Sequence, residues 1–184
     1  FLFPPSNLYP AIDEIGAVAD GAAALTVLCR IAMPAAGTNL VDGMTVWARR
    51  LDGFDFQAQL VINANRSITA GVSGNGATWL QLDTAAGALA LGETYTIAFV
   101  FDGAGATAAQ TLRVFITDGM GEVTQASPTY SGAAAVATLF TPAFCGWTLG
   151  GVYTSDTTMV RGLRDVVVFD VAMWTGLAAE GYAL

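Results

Sequence analysis

Tyr95 to Asp102 reads YTIAFVFD, and Leu112 to Asp118 reads LRVFITD. In the first run Tyr95, Ile97, Phe99 and Phe101 fall on one face, and in the second Leu112, Val114 and Ile116 do the same. That period of two is what a half-buried strand requires. Both runs end on an Asp-Gly pair, Asp102-Gly103 and Asp118-Gly119. The same punctuation recurs at Asp20-Gly21, Asp42-Gly43 and Asp52-Gly53 between other alternating runs, and it is the chemistry of tight turns between strands. Strands are expected near 24–33, 44–50, 54–63, 66–73, 77–83, 94–102, 111–118, 121–127, 146–153 and 159–170. No long helical period competes, apart from a short turn around Leu177 to Tyr182. Many short amphipathic strands must cover their apolar faces with one another, so the pattern predicts an all-β, two-sheet antiparallel sandwich with one core.

The chain has 184 residues, enough for one domain that buries roughly 70% of its unfolded surface. Only 12% of residues are charged, well under the usual share of about 25%. Its surface is therefore built mostly from small and uncharged polar residues. The balance is 15 acids against 7 arginines, with no histidine, for a net charge of -8. Nucleic-acid backbones and anionic membranes would be repelled, because both are bound through an excess of Lys and Arg. Neutral glycans, cations and protein partners remain open to such a surface. Gln125 to Ser155 carries no charge, but Pro128, Pro142 and several glycines interrupt it, so it reads as strand and loop and no membrane insertion is expected. The chain begins at Phe1 without Met: either something upstream has been removed or the given sequence starts late.

The order of motifs in the C-terminal half resembles the laminin-G-like, concanavalin A-like jelly rolls. There, a strand and an Asp-Gly loop lead to a second strand, then to a late Trp (here Trp147 to Gly151, WTLGG) and a terminal valine-rich run (here Val160 to Ala172, VRGLRDVVVFDVA). The likeness covers residues 20–184, leaving 1–19 as an extended N-terminal arm. One departure is Leu163-Arg164-Asp165-Val166, which stands where the family has I-D-E-V. The resemblance implies a jelly-roll sandwich and a non-catalytic binding role. It also implies a structural calcium ion held by the acid of the last strand, Asp165, with Asp13, Glu14 or Asp20 as partners. An ordinary pairing of Asp165 with Arg164 or Arg161 is the competing use of that acid.

Catalysis has little to work with. Without histidine there is no Ser-His or Cys-His pair and no His-based zinc set. The paired-carboxylate strand E-x-D-x-x-E of the glycosidases that share this fold is absent, and the four glutamates, Glu14, Glu93, Glu122 and Glu180, are scattered singly. No enzyme and no cofactor other than that calcium are expected.

A sugar platform needs an aromatic face with amides or carboxylates beside it. Asp55, Gln57, Gln59 and Asn63 alternate against Phe54, Phe56, Leu60 and Ile62, while Trp79, Gln81 and Asp83 alternate against Leu80 and Leu82. If the two strands lie in one sheet, the amide row and Trp79 share its solvent face, and Trp47 with Arg49 extends the patch. An ordinary polar sheet face is the alternative reading. Cys145, Trp147 and Leu149 point to the core, as does Cys29 with Leu25, Val27, Ile31 and Met33. Trp174 is either a lid over the sandwich edge or a partner contact. Whether Cys29 and Cys145 pair is left open by sequence, and Asn65-Arg66-Ser67 is a formal glycosylation sequon of a kind common by chance. Residues 1–10 hold Pro4, Pro5 and Pro10 with Phe1, Leu2, Phe3 and Tyr9 and no charge, so they form an extended apolar segment that must dock on this domain or on a neighbour.

Two functions fit these expectations. One is a glycan-binding or adhesion module on an extracellular or virion surface. The other is a structural decoration or spike protein of such an assembly, its partners being other protein chains, copies of itself among them.

Overall fold

The computed structural model describes residues 11–12, 19–51, 54–117, 123–125, 128–142, 147–153, 159–160, 162–163 and 165–176. The strands are β1 (Ala11–Ile12), β2 (Ala24–Ala32), β3 (Met44–Leu51), β4 (Phe54–Ile62), β5 (Ile68–Gly76), β6 (Trp79–Asp83) and β7 (Thr94–Asp102), then, after a single helical turn α1 (Ala108–Thr111), β8 (Leu112–Thr117), β9 (Val123–Gln125), β10 (Thr129–Gly132), β11 (Trp147–Leu149), β12 (Val152–Tyr153), β13 (Met159–Val160) and β14 (Val167–Trp174). They form two sheets. The larger runs β1-β11-β3-β4-β5-β6-β10, with β12 and β13 beside β3, and the smaller runs β14-β2-β7-β8-β9. Every pairing is antiparallel except one parallel contact, Tyr153 with Leu51.

The expected strand faces of β7 and β8 are the ones buried. Tyr95, Ile97, Phe99, Phe101, Leu112, Val114 and Ile116 all lie in the core, as do Cys29, Trp147 and Leu149. They meet Leu60, Ile62, Ile68, Ala70, Val72, Leu80 and Leu82 from the larger sheet. Each fully buried Leu, Ile or Phe stabilises the sandwich by about 1.5–3 kcal/mol before the entropy of ordering is subtracted. Trp47 of the larger sheet packs edge-on against Phe99 of the smaller, ring centroids 4.9 Å apart at 87°, with Trp147 at 5.8 Å. Tyr130 adds a polar tie: from β10 it donates to the carbonyl of Leu112 on β8 at 2.9 Å, and its partial burial raises the phenol pKa.

Two irregularities in β3 and β4 decide which side chains reach which face. Thr45 pairs with Val61 and Trp47 with Leu60, so Val46 is an extra residue. Further along, Arg49 pairs with Ala58 and Leu51 with Phe54, which sets residues 55–57 opposite Arg50 alone. Asp55 takes a left-handed φ of 55° there. Each extra residue reverses the alternation, as a β-bulge does. Trp47 therefore enters the core, whereas uninterrupted alternation puts it on the outer face. Gln57 turns inward and Phe56 outward, again the reverse of the expected phase.

Other differences are local. Ala11 and Ile12, inside the stretch read as an arm, pair with Thr148 and Trp147 as an edge strand. The polar segment TYSG at 129–132 is a strand that alternation did not reveal, and the terminal valine-rich run is two strands, β13 and β14, rather than one. The turn expected at Leu177 to Tyr182 lies outside the described residues.

Cys29 is a free thiol, 1% exposed. Burial pushes its pKa up to about 12 from 9.0, with the Trp47 indole offsetting part of the rise. Since the thiolate is the reactive form, the group should be inert in the folded protein. A raised folded pKa costs stability only where the unfolded thiol ionises, so the penalty is absent at neutral pH and grows from about pH 9 towards 12. Iodoacetamide at pH 8, followed by peptide mass mapping, is expected to leave Cys29 unmodified in the native chain and to alkylate it in denaturant.

Candidate binding face

The outer face of the larger sheet carries the one described cluster where an aromatic pair, a cation and hydrogen-bonding side chains converge. Gly71, on β5, stands between Gln59 on β4 and Gln81 on β6. A Cβ at this position would lie 2.6 Å from the Trp79 indole and 3.5 Å from the Phe56 ring. The missing side chain is what lets Trp79 and Phe56 lean together across β5, ring centroids 3.5 Å apart at 36°. The Arg50 guanidinium sits 5.1 Å from the centre of Trp79 and 5.5 Å from that of Phe56, a cation–π arrangement. Its Nη1 donates to Gln59 Oε1 at 2.9 Å.

Beyond Trp79 the same face continues as a hydrogen-bonded row. Asn63 donates to Thr69 Oγ1 at 2.9 Å, and Thr69 in turn donates to Asp83 Oδ1 at 2.5 Å. Gln81 Nε2 donates to Asp83 Oδ2 at 2.7 Å. On the other side, Ser131 and Thr129 of β10 pair with Gln81 and Asp83 and are exposed.

Of the residues expected to form a sugar platform, Trp79 and Gln81 are half-buried on this face. Gln59 shares it but is 5% exposed, engaged by Arg50, so it supports the cluster from behind. The structure places Gln57 and Trp47 elsewhere. Gln57 is fully buried and donates to the carbonyls of Ala19 and Phe140, and Trp47 is a core residue. Phe56 and Arg50 are the members that sequence alternation missed. Gly71, opposite Gln59, was the available signal, since bare backbone on one strand leaves room for rings from its neighbours.

Of the acids proposed for calcium, Asp20 and Asp165 are among the described residues. Asp20 forms an ion pair with Arg49, whose side chain is 5% exposed, and also contacts Gln57. A guanidinium already neutralises this carboxylate, which does not fit a hard-cation site. Asp165 is exposed at a left-handed φ of 61°, and Asp13, Glu14, Arg161 and Arg164 lie outside the described residues. Among the described residues no three acidic or cysteine side chains group as a metal site would need. Phe1, Leu2, Phe3, Tyr9 and Cys145 are likewise outside them, as is the Trp174 side chain. Asn65 is exposed in the turn between β4 and β5, its Oδ1 accepting from the Ser67 amide at 3.0 Å. A cavity of about 540 Å³ opens beside α1, lined by Asp102, Gln110, Arg113 and small residues. Its Asp102 and Arg113 approach to 4.0 Å, and it contains no nucleophile with a base beside it.

No protein-family model matches the sequence, and no curated protein sequence matches it. Solved structures do. The chain is similar to the CBM40 of Ruminococcus gnavus IT-sialidase, solved with α2,3-sialyllactose bound (TM-score 0.57, 12% identity, covering 89% of this chain and 81% of that one). It is similar to the heptameric SAP-like pentraxin of Limulus polyphemus (TM-score 0.52, 13% identity, 85% and 66%) and to tailspike protein 2 of an Escherichia coli bacteriophage (TM-score 0.52, 18% identity, 88% and 21%). The chain thus spans just under two thirds of the pentraxin and about a fifth of the tailspike. At these identities the likeness is one of fold: this is an all-β, two-sheet antiparallel jelly-roll sandwich. No described helix is long and apolar enough to cross a membrane.

With Asp20 held by Arg49 and Gln57, a calcium site built on that carboxylate is not expected to stabilise the fold. The melting temperature is expected to agree within about 1 °C between chelator and millimolar Ca²⁺, whereas a rise of several degrees with Ca²⁺ would place the ion at these acids.

Proposed function

We propose that the chain is a non-catalytic glycan-binding or adhesion module of an extracellular or virion surface, with Trp79 as its stacking residue. The observation that carries this reading is the aromatic pair over Gly71. An indole laid against a sheet and continued by Gln81 and Asp83 offers what a pyranose needs, an apolar face for its C–H groups and polar groups for its hydroxyls. The lack of histidine and of a paired-carboxylate strand supports binding rather than turnover. One of the structurally similar proteins is solved with a saccharide bound, which supports the ligand class.

A structural decoration or spike role is the second reading. It is favoured by the likeness to a phage tailspike and by Phe169, 48% exposed on the outer side of the smaller sheet. The two roles are compatible on one chain.

The direct test is a glycan array followed by titration calorimetry on any positive. Trp79→Ala is expected to weaken binding at least fivefold, the effect of losing about 1 kcal/mol or more when the central aromatic of a binding face is truncated. Gly71→Val should do the same without touching the ligand, because its side chain displaces the indole. Binding that survives both substitutions would remove this face from the account.

A further inference from the structure

The row beside Trp79 also specifies which saccharides the face accepts. This inference rests on the proposed glycan-binding role and concerns the same face. Trp79, Gln81 and Asp83 project from alternate positions of β6, so they line up over about 13 Å. Gln81 is flanked by Gly71 on one side and Ser131 on the other. Asp83 is flanked by Thr69 and Thr129. The neighbours are small, so Trp79, Gln81 and Asp83 form a continuous row that starts at the indole and ends at a carboxylate.

The hydrogen-bond directions along that row converge on Asp83. Asn63 donates to Thr69, Thr69 to Oδ1, and Gln81 to Oδ2. Two side-chain donors fix the carboxylate in place and leave it further acceptor sites, since an ionised carboxylate offers about four. What it can take from a ligand is a hydroxyl proton, in a charge-assisted hydrogen bond. An anionic group in the same place meets a fixed negative charge. Among the described residues Asp83 has no ion pair, and Arg50 is 7% exposed and turned to Gln59, Phe56 and Trp79 at the far end of the row. The net charge of -8 adds to the repulsion.

We infer that this face selects uncharged saccharides over carboxylated ones, with Asp83 as the specificity-determining residue: it accepts hydroxyl protons from a neutral sugar and repels the anion of an acidic one. The selection is set by what the site excludes as much as by what it holds.

The experiment compares neutral oligosaccharides with their sialylated or uronate-terminated counterparts by calorimetry at low salt. The neutral member of each pair is expected to bind at least tenfold tighter, and the gap should narrow as salt is raised. In Asp83→Asn the neutral sugar should bind several-fold more weakly and the discrimination should fall to about threefold or less. Ser131→Asp, on the exposed edge strand where folding is not at stake, adds a second charge beside Gln81 and should widen the gap. Tighter binding of the acidic members, or a discrimination that neither substitution moves, would overturn the inference while leaving Trp79 stacking intact. Binding that is indifferent to Trp79→Ala would instead overturn the site itself, and a chain that binds no saccharide would overturn both.

Discussion

Trp47 packed edge-on against Phe99 is the contact on which the arrangement of both sheets turns. It closes the sandwich where the larger sheet would otherwise present an outward-facing indole, and it does so because one extra residue in β3 reverses the alternation. The second irregularity, at Arg50 and residues 55–57, has the opposite effect on its neighbours. It moves Phe56 to the outside, beside Arg50, and draws Gln57 in. Core and candidate binding face are thus two outcomes of one constraint, the register of β3 on β4.

That constraint has an energetic logic. A buried indole gains from its large apolar area and from an edge-to-face contact worth about 0.5–1.5 kcal/mol beyond it. A buried glutamine would cost free energy if its amide were unpaired, but Gln57 finds the carbonyls of Ala19 and Phe140, and the Arg49 guanidinium finds Asp20. The inward-turned polar groups tie the turn at 19–22 and the loop before Pro142 to the end of the sandwich. On the other face Phe56 is sheltered by Trp79 and Arg50, so a phenyl ring leaves the core without meeting much water; it is 3% exposed.

The fold was legible where strands are regular. Thr96 to Phe101 and Leu112 to Thr117 pair without interruption, so a period of two read from sequence gave the right buried face. In β3 and β4 it did not, because a bulge adds a residue without changing composition, and every side chain beyond it swaps faces. Trp79 and Gln81 lie on an unbroken five-residue strand and were placed correctly for that reason. Gln57 and Trp47 lie next to the shifts and were not. The strand at 129–132 was missed on other grounds: it is an edge strand of Thr, Tyr, Ser and Gly, pinned by its hydrogen bonds to β6 and by Tyr130 reaching Leu112, neither of which is local in sequence.

The central claim, that the face defined by this register shift is where saccharide is held, is most directly tested by side-chain ¹H–¹⁵N spectra of the labelled chain titrated with a saccharide that binds. The account predicts that the indole resonance of Trp79 and the amide of Gln81 shift with saturation, while the indoles of Trp47 and Trp147, buried in the core, stay in place. Saturable shifts confined to the Asp102–Arg113 cavity or to the smaller sheet, with Trp79 unmoved, would contradict it.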